Sequence, residues 1–208
     1  MTIHSSLLAP GLLLLLYPAD WLLSAKVELR SFESFRNLDS SRRYRPWWWV
    51  PALWLDPFRG WIATVLLFRA LELDSPRFVL TDHPEYWAVM GALLVGVALQ
   101  AFTRRVSGVL FAPIGFTTGM ITALLPVPVV AIALVAALTG LFAFRRFHAF
   151  FTIGLFAVAA VGLLLQVDLF RLGPAIAVLA LPLGLGCFTN SVLEIPARDA
   201  SGGPPRAA

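Results

Sequence analysis

From Tyr86 to Leu193 the chain carries six formally charged residues, Arg104, Arg105, Arg145, Arg146, Asp168 and Arg171, separated by blocks rich in Leu, Val, Ala, Phe, Ile and Gly. In hydrocarbon every backbone N–H and C=O must be satisfied within the segment. Uncharged blocks of roughly 17 to 25 residues therefore read as membrane-spanning helices. The expected spans are Tyr86 to Phe102, Val106 to Leu125, Val127 to Phe144, Phe147 to Val167 and Leu172 to Asn190. The 39 uncharged residues between Arg105 and Arg145 would measure about 58 Å as one helix, nearly twice a hydrocarbon core. That block must fold as a hairpin, and Leu125-Pro126-Val127-Pro128 marks its turn because paired prolines remove N–H donors.

Composition fits the same class. The chain is 59% hydrophobic and 13% charged, whereas soluble domains are about 25% charged. Its net charge of +4 comes without a basic patch or recognition motif, so nucleic acid is not an expected partner. The basic residues instead read as orientation signals. Cys187 is the only cysteine, which rules out an intrachain disulfide.

Upstream of the apolar block the pattern is mixed. Leu7 to Leu23 is apolar but interrupted by Pro10, Gly11, Pro18 and Asp20; it reads as a retained first helix, with a re-entrant or interfacial segment as the alternative. Residues 24–45 carry Lys26 and five arginines, and Leu29, Phe32, Phe35 and Leu38 recur every three residues. That spacing predicts a basic amphipathic helix on the membrane surface. Trp47-Trp48-Trp49 and Trp54 then suit the headgroup level, where a ring with an apolar body and a polar N–H is at home.

Asp56-Pro57 looks like a helix start, with Asp56 capping and Pro57 at the first position, giving a span from Pro57 to about Leu73 in which Arg59 snorkels to the surface. The rival reading starts the helix near Trp47 and ends it near Phe68, which buries Asp56 and Arg59 as an intramembrane ion pair at i, i+3 spacing.

The expected architecture is an all-α polytopic membrane bundle of six or seven transmembrane helices. It comprises an N-terminal membrane segment (1–23), a cytoplasmic surface segment (24–45), the bundle (46–193) and a disordered tail (194–208). With seven spans, thirteen of the 16 basic residues fall on the side of the 24–45 loop. The excess puts that loop and the C-terminus in the cytoplasm. The absence of a processing signal and of an Asn-x-Ser/Thr acceptor favours a bacterial inner membrane.

Two spans stand out as working parts. In Val106 to Leu125, Gly108, Ala112, Gly115, Gly119 and Thr122 share one face, with Pro113 nearby, suiting close helix packing or an interrupted helix lining a substrate site. The last span contains Pro174, Pro182, Gly184 and Gly186; Gly173-Pro174 reads as a turn and helix start, and Pro182 as a kink flanking a cavity. Gly91 to Arg105 and Gly154 to Arg171 faintly resemble an inverted repeat, each with a Gln (Gln100, Gln166) before Arg.

Catalytic material is sparse. His4, His83 and His148 are dispersed, and there is no Gly-x-Ser-x-Gly, His-Glu-x-x-His or phosphate-binding Gly-Lys loop. The residues point to a non-enzymatic protein without cofactor or metal, partnered by the lipid bilayer and by another membrane protein or its own copy. A structural or accessory subunit is the leading expectation. A small permease for an apolar, amphiphilic or lipid-like substrate is the alternative.

Overall fold

The computed structural model describes residues 4–18, 27–30, 51–71, 84–103 and 109–198. Gly108, Arg104, Arg105, the Trp47–Trp49 run, most of the 24–45 segment, Asp82, His83 and the tail beyond Arg198 lie outside the described residues.

The described chain is mostly helical. In order it forms α1 (Ser5–Leu16), β1 (Val27–Arg30), α2 (Pro51–Ala70), α3 (Pro84–Phe102), β2 (Val109–Phe111), α4 (Ile114–Leu124), α5 (Val127–Phe144), α6 (Phe147–Leu164), α7 (Leu169–Thr189) and β3 (Val192–Arg198). Four helices, α3, α5, α6 and α7, are long and apolar enough to cross a membrane. Their outer faces are apolar too: Val135 on α5 and Phe156 on α6 are among the exposed large side chains. A soluble bundle would set polar residues there.

Contacts set the direction of each helix. α1 lies antiparallel to α2, because the His4 amide donates to Ala70 O at one end and Arg59 donates to Tyr17 O at the other. α3 begins beside the start of α7, where the Tyr86 hydroxyl donates to Phe170 O at 3.2 Å. Phe68, near the end of α2, meets that same Phe170 ring edge-on at 6.3 Å. α5 and α6 form a tight hairpin, with a Cβ built on Gly154 falling 3.3 Å from Ala137 Cβ. His148, at the start of α6, sits against Gly186 near the end of α7. α4 packs on the first half of α2, Phe116 against Gly60 and Gly119 against Pro57. One end of the bundle gathers the ends of α1, α3, α5 and α7 with the starts of α2 and α6.

The strands lie at this same end. They form one sheet in the order β1-β3-β2, with β1 antiparallel and β2 parallel to β3. The fold is thus not purely helical. Val27–Arg30 is a strand rather than part of a surface helix, and Ile195–Arg198, expected in a tail from 194, is strand as well, because the two segments pair.

Several helix boundaries differ from expectation, and prolines explain most of them. α1 stops at Leu16, so Leu7 to Leu23 is not one helix; Tyr17 is extended (φ −62°, ψ 122°), as the residue before a proline prefers. Val106 to Leu125 is not one span either. Its first part enters the sheet as β2, and Pro113 stands at the N-cap of an eleven-residue α4. At about 1.5 Å per residue, α1 and α4 reach only some 16 to 18 Å.

At α7 the expected Gly173-Pro174 start is overtaken by Asp168, whose side chain accepts from the Phe170 amide at 3.1 Å and caps the helix five residues earlier. Pro174 and Pro182 are consequently interior and buried.

Candidate functional site

Four helices converge at the strand end on one buried polar cluster. α2 begins no later than Pro51 and continues through Pro57, so Asp56 does not cap its own helix. Its carboxylate instead pairs sideways with Arg59 one turn on, at 2.6 Å, and both side chains are only 6% exposed. The rival reading of the sequence, a buried pair at i, i+3, describes this geometry.

The pair stands where two short helices end. Arg59 donates to the carbonyl of Tyr17, just past the C-terminus of α1. Gln100, fully buried on α3, donates to Tyr17 O at 2.9 Å and to Leu15 O at 3.4 Å. The last carbonyls of a helix have no partner within it and carry partial negative charge. Here a guanidinium and an amide supply the missing donors.

Asp56 serves the opposite pole. It accepts from the Phe116 backbone in the first turn of α4, where orphan N–H groups favour an anion. The guanidinium of Arg59 lies 4.7 Å from the Phe116 ring centroid, within cation–π range. One ion pair thus straddles the negative end of α1 and the positive end of α4. Arg59 Nε is the buried donor with no hydrogen-bond partner among the described residues.

Glycines bring α2 and α4 into backbone contact beside this cluster. A Cβ on Gly60 would overlap Phe116 O, and one on Gly119 would overlap Pro57 O and sit 2.9 Å from Trp61 N. Pro57 removes an α2 backbone donor, and its own carbonyl is where Gly119 packs. Next to the contact an open groove of about 300 Å³ is lined by Pro57, Phe58, Trp61, Thr118, Gly119 and Thr122.

The structure therefore separates the residues singled out in the sequence. Asp56 and Arg59 meet in the cluster; Gly119 and Thr122 meet at the groove, with Gly119 also forming the α2 contact. Ala112 is buried, its amide donating to Glu194 O at 2.7 Å in the sheet. Pro113 is buried at the α4 N-cap and Gly115 is half-buried in the first turn. Pro182 packs inside α7, so neither proline borders the groove.

Gln100, Phe116 and the Tyr17 carbonyl are cluster members that sequence reasoning missed. A lone Gln inside an otherwise apolar span was the available signal for the first. Among the described residues no group of three metal-capable side chains occurs. No family model, no curated protein and no solved structure matches this chain.

Proposed function

We propose that this chain is a non-catalytic integral membrane protein that serves as a structural or accessory subunit of a membrane assembly, with all seven helices crossing or entering the bilayer. The observation that carries this reading is the use of the buried charges. Asp56 and Arg59 are spent on joining helix ends, as in a rigid scaffold. α1 and α4 would enter the bilayer without being long enough to cross alone, the polar cluster satisfying their ends inside protein. By the positive-inside bias the strand end, with Arg145 and Arg146, faces the cytoplasm of a bacterial inner membrane. Mild extraction from the native membrane followed by identification of co-purifying chains is the test. A defined complex is expected; a lone monomer in every mild detergent rejects the subunit role.

The α2–α4 groove favours a second reading, a small permease for an amphiphilic or lipid-like substrate. Gly119→Leu is a poor probe of it, because Gly119 packs on Pro57 backbone and the variant would fail to fold. Thr122, exposed at the groove edge, is the position to alter. Unchanged flux in Thr122→Phe removes the groove from any transport path.

A further inference from the structure

The turn between α5 and α6 is two residues long, and both are arginines, Arg145 and Arg146. We infer that this turn is a binding site for the headgroup of an anionic phospholipid. Such binding requires only that α5 and α6 span a bilayer; it is independent of the subunit role.

The two charges are uncompensated. Both arginines are exposed, and among the described residues neither forms an ion pair. α5 and α6 contain no acidic residue at all. Glu194, which the sheet brings to this end, is half-buried, and burial favours its neutral form. α6 also starts without a side-chain cap, so its positive pole adds to the two guanidinium charges. A phosphate answers them well, because two of its oxygens match the fork of a guanidinium.

Position makes that phosphate a lipid's. α5 and α6 are two of the four helices long and apolar enough to cross a membrane, and the turn is where one ends and the other begins. Basic side chains at such a place sit at the headgroup level. Val135, Leu138 and Phe142 are exposed along one face of α5 at i, i+3, i+7 spacing, and Phe144 is exposed next to Arg145. An acyl chain hanging from a phosphate at the turn meets this apolar face, which a free phosphate would leave unused.

The same surroundings select an anionic headgroup over a zwitterionic one. Phosphatidylcholine brings a cation with its phosphate, and neither helix offers that cation a carboxylate. Beside Arg145 and Arg146 the choline meets only like charge.

The test is native mass spectrometry of the full-length protein, extracted in mild detergent and equilibrated with equal amounts of phosphatidylglycerol and phosphatidylcholine carrying the same chains. Wild type retains phosphatidylglycerol in preference by about thirtyfold, roughly fivefold for each arginine. Arg145→Asn with Arg146→Gln abolishes the preference; Asn tolerates the left-handed backbone at 145 (φ 54°). Arg69→Gln, at an exposed arginine in the last turn of α2 and so at the opposite end of the bundle, leaves the preference as in wild type. Should the double variant fail to accumulate, Arg146→Gln alone, at an extended position (φ −134°), lowers the preference about fivefold. Equal retention of the two lipids by wild type overturns the assignment. So does an unchanged preference in whichever turn variant accumulates, or an equal loss in Arg69→Gln. Displacement of the lipid by inorganic phosphate but not by chloride at matched ionic strength also overturns it, because the turn would then be a site for a free anion.

Discussion

Gln100 and Arg59, from α3 and α2, donate to the same acceptor, the carbonyl of Tyr17. Two side chains from different helices thereby finish a third helix, and one of them has no exposed surface. Gln100→Leu keeps the volume and removes the donor. The expected cost is about 1–3 kcal/mol, that of an unsatisfied buried polar group, read as a lower midpoint of thermal unfolding in detergent. An unchanged midpoint would mean that the α1 end is satisfied some other way.

The Asp56–Arg59 pair should respond asymmetrically. Asp56→Leu or Arg59→Met alone leaves an uncompensated buried charge and costs about 3–5 kcal/mol, whereas the double substitution recovers much of that loss. A double-mutant cycle on unfolding free energy measures the coupling. Additive single effects would show that each residue acts separately, Asp56 on α4 and Arg59 on α1.

Glycine positions divide cleanly. A Cβ at Gly91 or Gly184 meets nothing within 4 Å, whereas one at Gly60 or Gly119 overlaps backbone oxygen. Gly91→Ala and Gly184→Ala should stabilise by about 0.5–1 kcal/mol through helix propensity. Gly60→Ala and Gly119→Ala should lower the yield of folded, monodisperse protein. Size-exclusion profiles with thermal scans distinguish the pairs.

Glu194 supplies a pH dependence at the strand end. Burial raises its carboxyl above the usual glutamate value, so the folded chain prefers the neutral form. The associated stability is full below the unfolded value and is lost as pH rises through the folded one. Hydrogen exchange at the Ala112 amide, which bonds to Glu194 O, should quicken across that rise. In Glu194→Gln the step should vanish.

Orientation is testable with two fusions at the C-terminus. Green fluorescent protein there should fluoresce and alkaline phosphatase should stay inactive, because the strand end is expected inside. The reverse pattern would place the strand end outside.

The hairpin of α5 and α6 is legible from residues alone: both are uninterrupted apolar runs flanking Arg145-Arg146, and period and charge agree. α2 is not, because Asp56-Pro57 satisfies the local rules for a helix start while Pro57 in fact sits inside the helix. What overrides the local signal is tertiary: α4 presents its first turn to Asp56, and no local rule announces a partner sixty residues away. β2 and β3 escape notice for the same reason. Val109–Phe111 and Val192–Glu194 are short apolar or mixed segments beside long apolar helices, and only their pairing makes them strands. The groove is half legible, since Gly119 and Thr122 share a visible face while their neighbours on α2 come from outside the small-residue pattern.

The order β1-β3-β2 has a consequence for biosynthesis. The central strand, Val192–Arg198, is synthesised after both of its neighbours, which begin at Val27 and Val109. All seven described helices precede Val192, so they are made before either early strand has a partner. The sheet then closes as a final act, when Val192–Arg198 slides between them. A nascent chain cut short after α7 would leave two strands unpaired at once. Synthesis as far as Arg198 is thereby written into the fold as a structural event, one that a protease could read.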